Sequence, residues 1–206
     1  MALSLPTPAE IRALHERHAP SPEALELVHT HCEIVWQIAE QLLARHSGDG
    51  AEGNGIDRDL VRTGCLLHDI GVYRLYDANG TLDHGNYIRH GILGHEILKA
   101  EGLPEEICRF CSCHTGVGLT RRDVEAQGLP LPPADYVAIT PEEQIVMYAD
   151  KFHSKSTPPR FHLPDTYAAY VARFGADKAD LFRLLRKTFG DPDLTALAAR
   201  YGHPLR

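Results

Sequence analysis

At 206 residues and 43% apolar composition, the chain is long enough for one domain with a substantial core and a small helical appendage. Its formal charge of −7 argues against an extended nucleic-acid partner, because phosphate-backbone binding is carried by a basic surface; a local basic pocket stays compatible with that charge. No apolar run suggests a membrane span, and the start Met1-Ala-Leu-Ser-Leu-Pro-Thr7 lacks the basic and apolar regions of a signal peptide, so the expected setting is cytoplasmic with no membrane partner.

Periodicity and caps predict an all-α fold. Thr7-Pro8-Ala9-Glu10 and Ser21-Pro22-Glu23 each set a capping side chain before a first-turn proline, opening helices of about 10 and 25 residues. The second carries His31. Residues 47–55 hold four glycines in nine positions and read as a flexible surface loop. Asp57 caps a helix ending at His68-Asp69. Residues 72–85 lack helical periodicity and are long enough for a functional loop over a site, contributing Arg74 and His84. A helix from about Tyr87 to Ala100 carries His90, and Gly102 with Pro104 punctuates its exit. Pro104 to His114 reads as a short helix broken by Gly116 and Gly118. Thr120 caps a brief helix, and Leu129-Pro-Leu-Pro-Pro133 makes a stiff connection. Thr140-Pro141-Glu142-Glu143 has capping-box spacing and opens the helix that delivers Asp150. Residues 158–164 read as a proline-rich loop, and Asp165 to Gly202 as two or three closing helices with breaks at Phe174-Gly175 and Phe189-Gly190.

Imidazoles and carboxylates on several packed helices are the makings of a buried transition-metal site. Five pieces occur in order over about residues 25–155: His31-x3-Val35-x3-Ala39, Leu66-Leu67-His68-Asp69-Ile70-Gly71, His90-Gly91-x2-Gly94, Cys113-His114-Thr115-Gly116 and Ala149-Asp150. The set resembles the HD-domain superfamily of metal-dependent phosphohydrolases, including uncharacterised HD relatives and, more distantly, the HD-type dinucleoside-tetraphosphate hydrolases. His29 competes with His31, and the family's apolar spacing selects His31. About 50 residues follow Asp150, which departs from the tetraphosphate hydrolases, so their substrate does not carry over.

The resemblance implies an HD helical bundle over residues 1–206, with a metal-binding core at about 25–155 and a C-terminal extension at about 165–202. It implies two divalent ions, of iron, manganese, cobalt, nickel, zinc or magnesium. His31, His68, Asp69 and Asp150 would hold one; His90, His114 and the other oxygen of Asp69 would hold the second. The implied reaction is hydrolysis of a phosphoester or phosphoanhydride in a small molecule of nucleotide type, with an HD-type di-iron oxygenase as the alternative on the same ligand set. Metal acidity towards water and stabilisation of a phosphoryl transition state are what such ions contribute.

Beyond the metal set, Asp69, Lys155, Arg74 and His84 are the catalytic candidates, and Lys155, Arg160 and Arg74 the substrate-binding ones, with solvated surface charges as the competing reading. Lys151 and Lys155 follow Asp150 by one and five positions, and the helical period places Lys155 nearer the Asp150 side. His95, about 140° from His90 on an ideal helix, stays outside the set. His15, His18, His46, His162 and His203 carry no functional expectation. Cys108-x2-Cys111-x-Cys113-His114 offers four soft ligands for zinc or part of an iron–sulfur cluster. Helical geometry sends Cys113 away from the other two, which favours small buried thiols. Five cysteines in apolar contexts read as reduced. The pattern leaves room for a homodimer.

Overall fold

The computed structural model describes residues 4–46 and 55–206; the glycine-rich positions 47–54, read above as a flexible loop, lie outside the described residues. Within the described residues the chain forms α1 (Pro8–His18), α2 (Pro22–His46), α3 (Arg58–Leu67), α4 (His90–Ala100), α5 (Glu105–Ser112), α6 (Arg121–Ala126), α7 (Pro141–Asp150), α8 (Pro164–Val171), α9 (Ala176–Phe189) and α10 (Thr195–Tyr201). A small antiparallel pair, β1 (His153–Ser154) and β2 (Arg160–Phe161), is the one two-stranded sheet among them. The fold is all-α, and no described helix is long and apolar enough to cross a membrane.

The predicted caps hold the helix starts. Thr7, Thr120 and Thr140 each accept from the backbone N–H three residues on, while the acid at that third position accepts from the cap's own N–H. Asp57 accepts from the N–H groups of Asp59 and Leu60. Each such cap satisfies donors that a helix start leaves orphaned and is worth about 1 kcal/mol.

Two readings need correction. Residues 72–85 are partly ordered as 3-10 turns, Ile70–Leu75 and His84–Arg89, around a bridge between Tyr76 and Leu82. The second of these turns replaces the predicted first turn of α4, which therefore begins at His90. The proline-rich residues 158–164 are not all loop: Phe161 donates its N–H to the Pro204 carbonyl (2.9 Å), Arg206 donates to Phe161 (2.9 Å) and Leu163 donates to Arg206 (2.8 Å). The chain's last residues thereby extend the small sheet beside β2. Alternating backbone pairing of this kind leaves no sequence period in so short a segment.

Two apolar clusters build the interior. One joins Ile34, Ile38 and Leu42 of α2 to Val146 and Tyr148 of α7 and to Phe182, Leu185 and Phe189 of α9. The other joins Ile11 and Leu14 of α1 to Val28 of α2, Leu67 of α3, and Ile97 and Leu98 of α4. His31 sits on α2 where the chain passes from the second cluster to the first, so its side chain lies in the seam between them. Glu143 ties two arms of the site together. It accepts from Arg109 Nε of α5 (2.6 Å) and Nη2 (3.0 Å), and from the Ile139 and Thr140 N–H groups at the start of α7. A bidentate arginine–carboxylate pair fixes geometry as well as contributing energy.

Candidate metal centre

Five helix-borne segments build the site around Asp69. His31 comes from the middle of α2, His68 and Asp69 from the exit of α3, and Asp150 from the last residue of α7. His90 opens α4 and His114 follows α5. The chain leaves α3 sharply at Asp69 (φ −107°, ψ 7°), and this turn lets adjacent His68 and Asp69 face one centre from different directions. The bend needs Gly71: a Cβ there would stand 2.0 Å from the His90 carbonyl and 2.2 Å from the Gly94 nitrogen. The motif glycines 71 and 94 are thus the residues that let α4 press against the turn and bring His90 within reach of Asp69.

The side chains fall into two groups sharing Asp69: His31, His68, Asp69 and Asp150, and Asp69, His90 and His114, with the donor atoms of each group within 4.8 Å of one another. In the first, His31 Nε2 lies 3.0 Å from Asp150 Oδ1, 3.1 Å from Asp69 Oδ2 and 3.2 Å from His68 Nε2. In the second, Asp69 Oδ1 lies 3.6 Å from both His90 Nε2 and His114 Nε2, which are 2.9 Å apart. All six side chains are buried except Asp150, which is partly buried.

Whether these residues fit cations is decided by their outer hydrogen bonds. His68 Nδ1 donates to the Cys65 carbonyl (2.8 Å), His90 Nδ1 to Tyr87 (2.6 Å) and His114 Nδ1 to Phe110 (3.0 Å). A carbonyl can only accept, so each neutral ring carries its proton on Nδ1 and turns a bare Nε2 lone pair inward. Two bare nitrogens 2.9 Å apart repel unless a positive charge lies between them. Asp69 Oδ1, facing the same pair, is buried and has no hydrogen-bond partner. A divalent cation satisfies all three atoms at once, and the donor set of imidazole and carboxylate suits a first-row transition metal.

The electrostatics agree. Burial pushes the carboxyls of Asp69 and Asp150 up, but Lys155 and His68 beside Asp69, and Lys151 with His31 and His68 beside Asp150, outweigh it and hold both well below the usual range. Burial lowers His90 to about 3 and also lowers His114. His68 goes the other way: burial opposes its charge, yet Asp69 and its other neighbours raise it well above the ordinary value. Two buried carboxylates therefore call for positive charge in their midst.

Around this centre lies a cavity of about 1020 Å³ whose wall includes Asp69, His90, His114, Asp150, Lys155 and His84. Lys155 Nζ bonds Asp69 Oδ2 directly. The period argument that favoured it does not apply, because α7 ends at Asp150 and Lys155 reaches back from the extended residues beyond β1. Lys151 is equally close, donating to Asp150 Oδ2 (2.7 Å) and the His114 carbonyl (2.9 Å). His84 stands exposed on the cavity wall. Arg74 and Arg160 are not on that wall. In the turn Ile70–Leu75 the neighbours of Arg74 point inward, leaving it exposed against Glu96 (3.2 Å); in β2 Phe161 fills the core and Arg160 takes the other face, donating to Ser156 Oγ (2.9 Å).

Other histidines sort cleanly. His29 lies against Arg12 and Glu33, away from the donor groups, and His95 bonds Ser112 Oγ at 3.1 Å. Cys108, Cys111 and Cys113 are buried and free. Cys111 Sγ donates to the Leu67 carbonyl and Cys108 Sγ to Leu103, and burial raises Cys108 to about 11 and Cys113 to about 12. Among the described residues these thiols form no shared donor group. One residue missed from the sequence is His153, buried with its Nδ1 on His31 Nδ1; the signal was a cluster of Asp150, Lys151, His153 and Lys155 within six positions.

The family model for the HD domain matches residues 28–155. The chain belongs to the HD domain family, and so to a superfamily of metal-dependent phosphohydrolases. An uncharacterized protein of Methanocaldococcus jannaschii is 36% identical over 162 residues, covering 78% of this chain and 85% of that one. A tRNA (cytidine(56)-2'-O)-methyltransferase of Picrophilus torridus is 39% identical over 134 residues, covering 65% of this chain but 33% of its own length. This HD chain thus matches a third of that protein, and methyl transfer does not follow from the likeness. The HD domain of the Listeria monocytogenes phosphodiesterase PgpH, solved alone, superposes with a TM-score of 0.52 at 17% identity over 93% of this chain and 98% of that one. Its complex with cyclic-di-AMP gives the same TM-score and identity over 96% and 99%. These structures share the fold.

Proposed function

We propose that this HD protein hydrolyses a phosphoester or phosphoanhydride of a small, nucleotide-type molecule at a centre whose two donor groups, sharing Asp69, would each hold a divalent cation. The observation that carries the reading is the unpartnered, buried Asp69 Oδ1 facing the bare Nε2 atoms of His90 and His114, because a single cation at the first group leaves those three atoms unsatisfied. His31, His68, Asp69 and Asp150 would hold one ion, and Asp69, His90 and His114 would hold the other. What such ions supply is acidity for a water and positive charge for a phosphoryl transition state.

The chain's own residues do the rest. Lys151 fixes the orientation of Asp150 from the side away from the histidines. Lys155, on Asp69 and on the cavity wall, meets a phosphoryl oxygen of the substrate. His84 at the exposed edge delivers a proton to the leaving group. The cavity of about 1020 Å³ is of a size for a small molecule, and the PgpH domain's complex with cyclic-di-AMP is in keeping with a nucleotide-type ligand. The C-terminal helices belong to the same working unit, since α8 contributes to the cavity wall.

A di-iron oxygenase would use the same donors. A lysine bonded to the bridging carboxylate favours an anionic substrate and hence hydrolysis. Phosphate or nucleotide release under strictly anaerobic conditions with added manganese, cobalt or ferrous iron tests the choice; oxygen uptake coupled to substrate loss, with no phosphate compound hydrolysed, would reverse it.

A further inference from the structure

Two features of the cavity bear on the part of the substrate that is not phosphate. The first is its charge. The lysines on the wall are Lys151, Lys155 and Lys178, and each is bound to a carboxylate: Lys151 to Asp150 (2.7 Å), Lys155 to Asp69, and Lys178 to Asp123 (2.6 Å). Lys178 also donates to the Gly118 carbonyl (2.8 Å). Among the described residues no arginine lines the wall. Among the described residues, then, Lys151 and Lys178 are each held by both a carboxylate and a backbone carbonyl, which leaves Lys155 as the wall lysine with capacity for one phosphoryl oxygen.

The second feature is an aromatic ladder. Tyr167, Tyr170 and Phe174 recur at helical spacing and share a face of the segment running from α8 through the turn Ala172–Phe174. All three line the cavity. Their rings touch in sequence, Tyr167 with Tyr170 at 5.7 Å and Tyr170 with Phe174 at 5.3 Å between centroids. Tyr167 is anchored below by Phe182 at 5.1 Å, but Tyr170 is 49% and Phe174 53% exposed. Arg173 lies over the Tyr170 ring at 5.9 Å; large aromatic rings this exposed inside a ligand-sized cavity are recognition surfaces rather than core.

Resting on the hydrolase reading above, we infer that the substrate is a phosphoester with a single phosphoryl group to be cleaved and a flat aromatic or strongly apolar organic part that lies on the Tyr167–Tyr170–Phe174 ladder. Polyphosphates and dinucleoside polyphosphates are disfavoured, because beyond Lys155 the wall lysines are each engaged twice already. In the reaction, water adds to phosphorus, the P–O bond to the organic group breaks, and the water's proton ends on the leaving oxygen. The ladder contributes binding of the leaving group and takes no part in bond making. Stacking of one ring on an aromatic side chain raises affinity by about tenfold.

Manganese-loaded protein is tested with phenyl phosphate, adenosine 5'-monophosphate, glycerol 2-phosphate and tripolyphosphate, and phenylphosphonate and methylphosphonate are titrated by calorimetry. The expected result is kcat/KM about tenfold higher for at least one of the two aromatic esters than for glycerol 2-phosphate, with tripolyphosphate worst; which ester leads separates aryl from nucleoside substrates. Phenylphosphonate is expected to bind about tenfold tighter than methylphosphonate. In Tyr170→Ala/Phe174→Ala both ratios collapse towards one, whereas Phe174→Trp keeps them. Preference for tripolyphosphate or glycerol 2-phosphate, or an equal loss for all substrates in the double variant, overturns the inference and leaves the hydrolase reading standing. Absence of phosphate release from every compound sinks the hydrolase reading instead, and the two phosphonates then still report on the ladder.

Discussion

His31 Nδ1 and His153 Nδ1 lie 2.8 Å apart, and His153 Nε2 lies 2.9 Å from His203 Nδ1. With a cation among the carboxylates His31 Nε2 would be bare, so its Nδ1–H would donate to His153, and His153 in turn would donate from Nε2 to His203. The three rings therefore fix one another's tautomers, and the outer two hold His31 in place much as carbonyls hold His68, His90 and His114. An outer partner of this kind is typically worth about 10- to 100-fold in metal affinity. His153→Phe, which keeps the bulk and loses the acceptor, is expected to weaken metal binding within that range by calorimetry, while His153→Asn retains more. Unchanged affinity in the Phe variant would assign the ring a packing role only.

Asp69→Ala is expected to remove metal from both groups and abolish turnover while the helical content by circular dichroism stays close to wild type. Neighbouring variants are expected to distinguish the two donor groups. His90→Ala or His114→Ala should leave about one metal per chain by elemental analysis, and His31→Ala should disturb the group containing Asp150. Wild-type protein already at one metal per chain, unaltered in both second-group variants, would establish a mononuclear centre.

Gly71→Ala tests the packing that delivers His90. The added Cβ meets backbone at 2.0 Å, which no rotamer change relieves, so α4 must move away from the turn. Overpacking typically costs about 1–3 kcal/mol, and a rigid backbone contact belongs at the upper end. The urea midpoint should fall accordingly and metal content should drop with it. A stable variant with full metal would mean that α4 shifts without cost.

His15, which is no part of the metal centre, gives an acid signature of its own. It is buried, shares hydrogen bonds with Tyr73 Oη (2.8 Å) and the Leu66 carbonyl (2.7 Å), and burial lowers it from 6.5 to about 3. Between those values the unfolded chain takes up a proton that the folded chain refuses. Stability from this group is thus full above about pH 6.5 and declines by about 1.4 kcal/mol per pH unit below it, until about pH 3. In metal-free protein, the loss between pH 7.5 and 5 should be about 2 kcal/mol greater for wild type than for His15→Gln. Parallel urea curves for the two across that interval would show that His15 titrates normally.

How far the sequence spoke for itself follows from the range of the interactions. The caps Thr7, Asp57, Thr120 and Thr140 are local, and each helix begins within a residue of its cap. The pairing of His31 with His68 and Asp150 spans the chain, and it was readable through the ordered motifs, whose glycines the close approach of α4 explains. His153 had no such marker, since its partners are 122 and 50 residues away. Arg74 and Arg160 lie off the cavity wall, which was not legible for another reason: a 3-10 turn and a two-residue strand give no period from which the direction of a side chain can be read. Phe174 registered only as a helix break, although the same break leaves its ring on the cavity.

Residues 203–206 join two structures at once: His203 ends the imidazole chain on His31, and Pro204 to Arg206 form the outer edge of the small sheet against Phe161 and Leu163. A ligand that orders His31 must then also favour docking of this tail, and by reciprocity docking of the tail must favour the ligand by the same free energy. If His31 holds a cation as proposed, this pairing would report its occupancy, and the backbone amides at Phe161, Leu163 and Arg206 should exchange with solvent more slowly in the loaded protein.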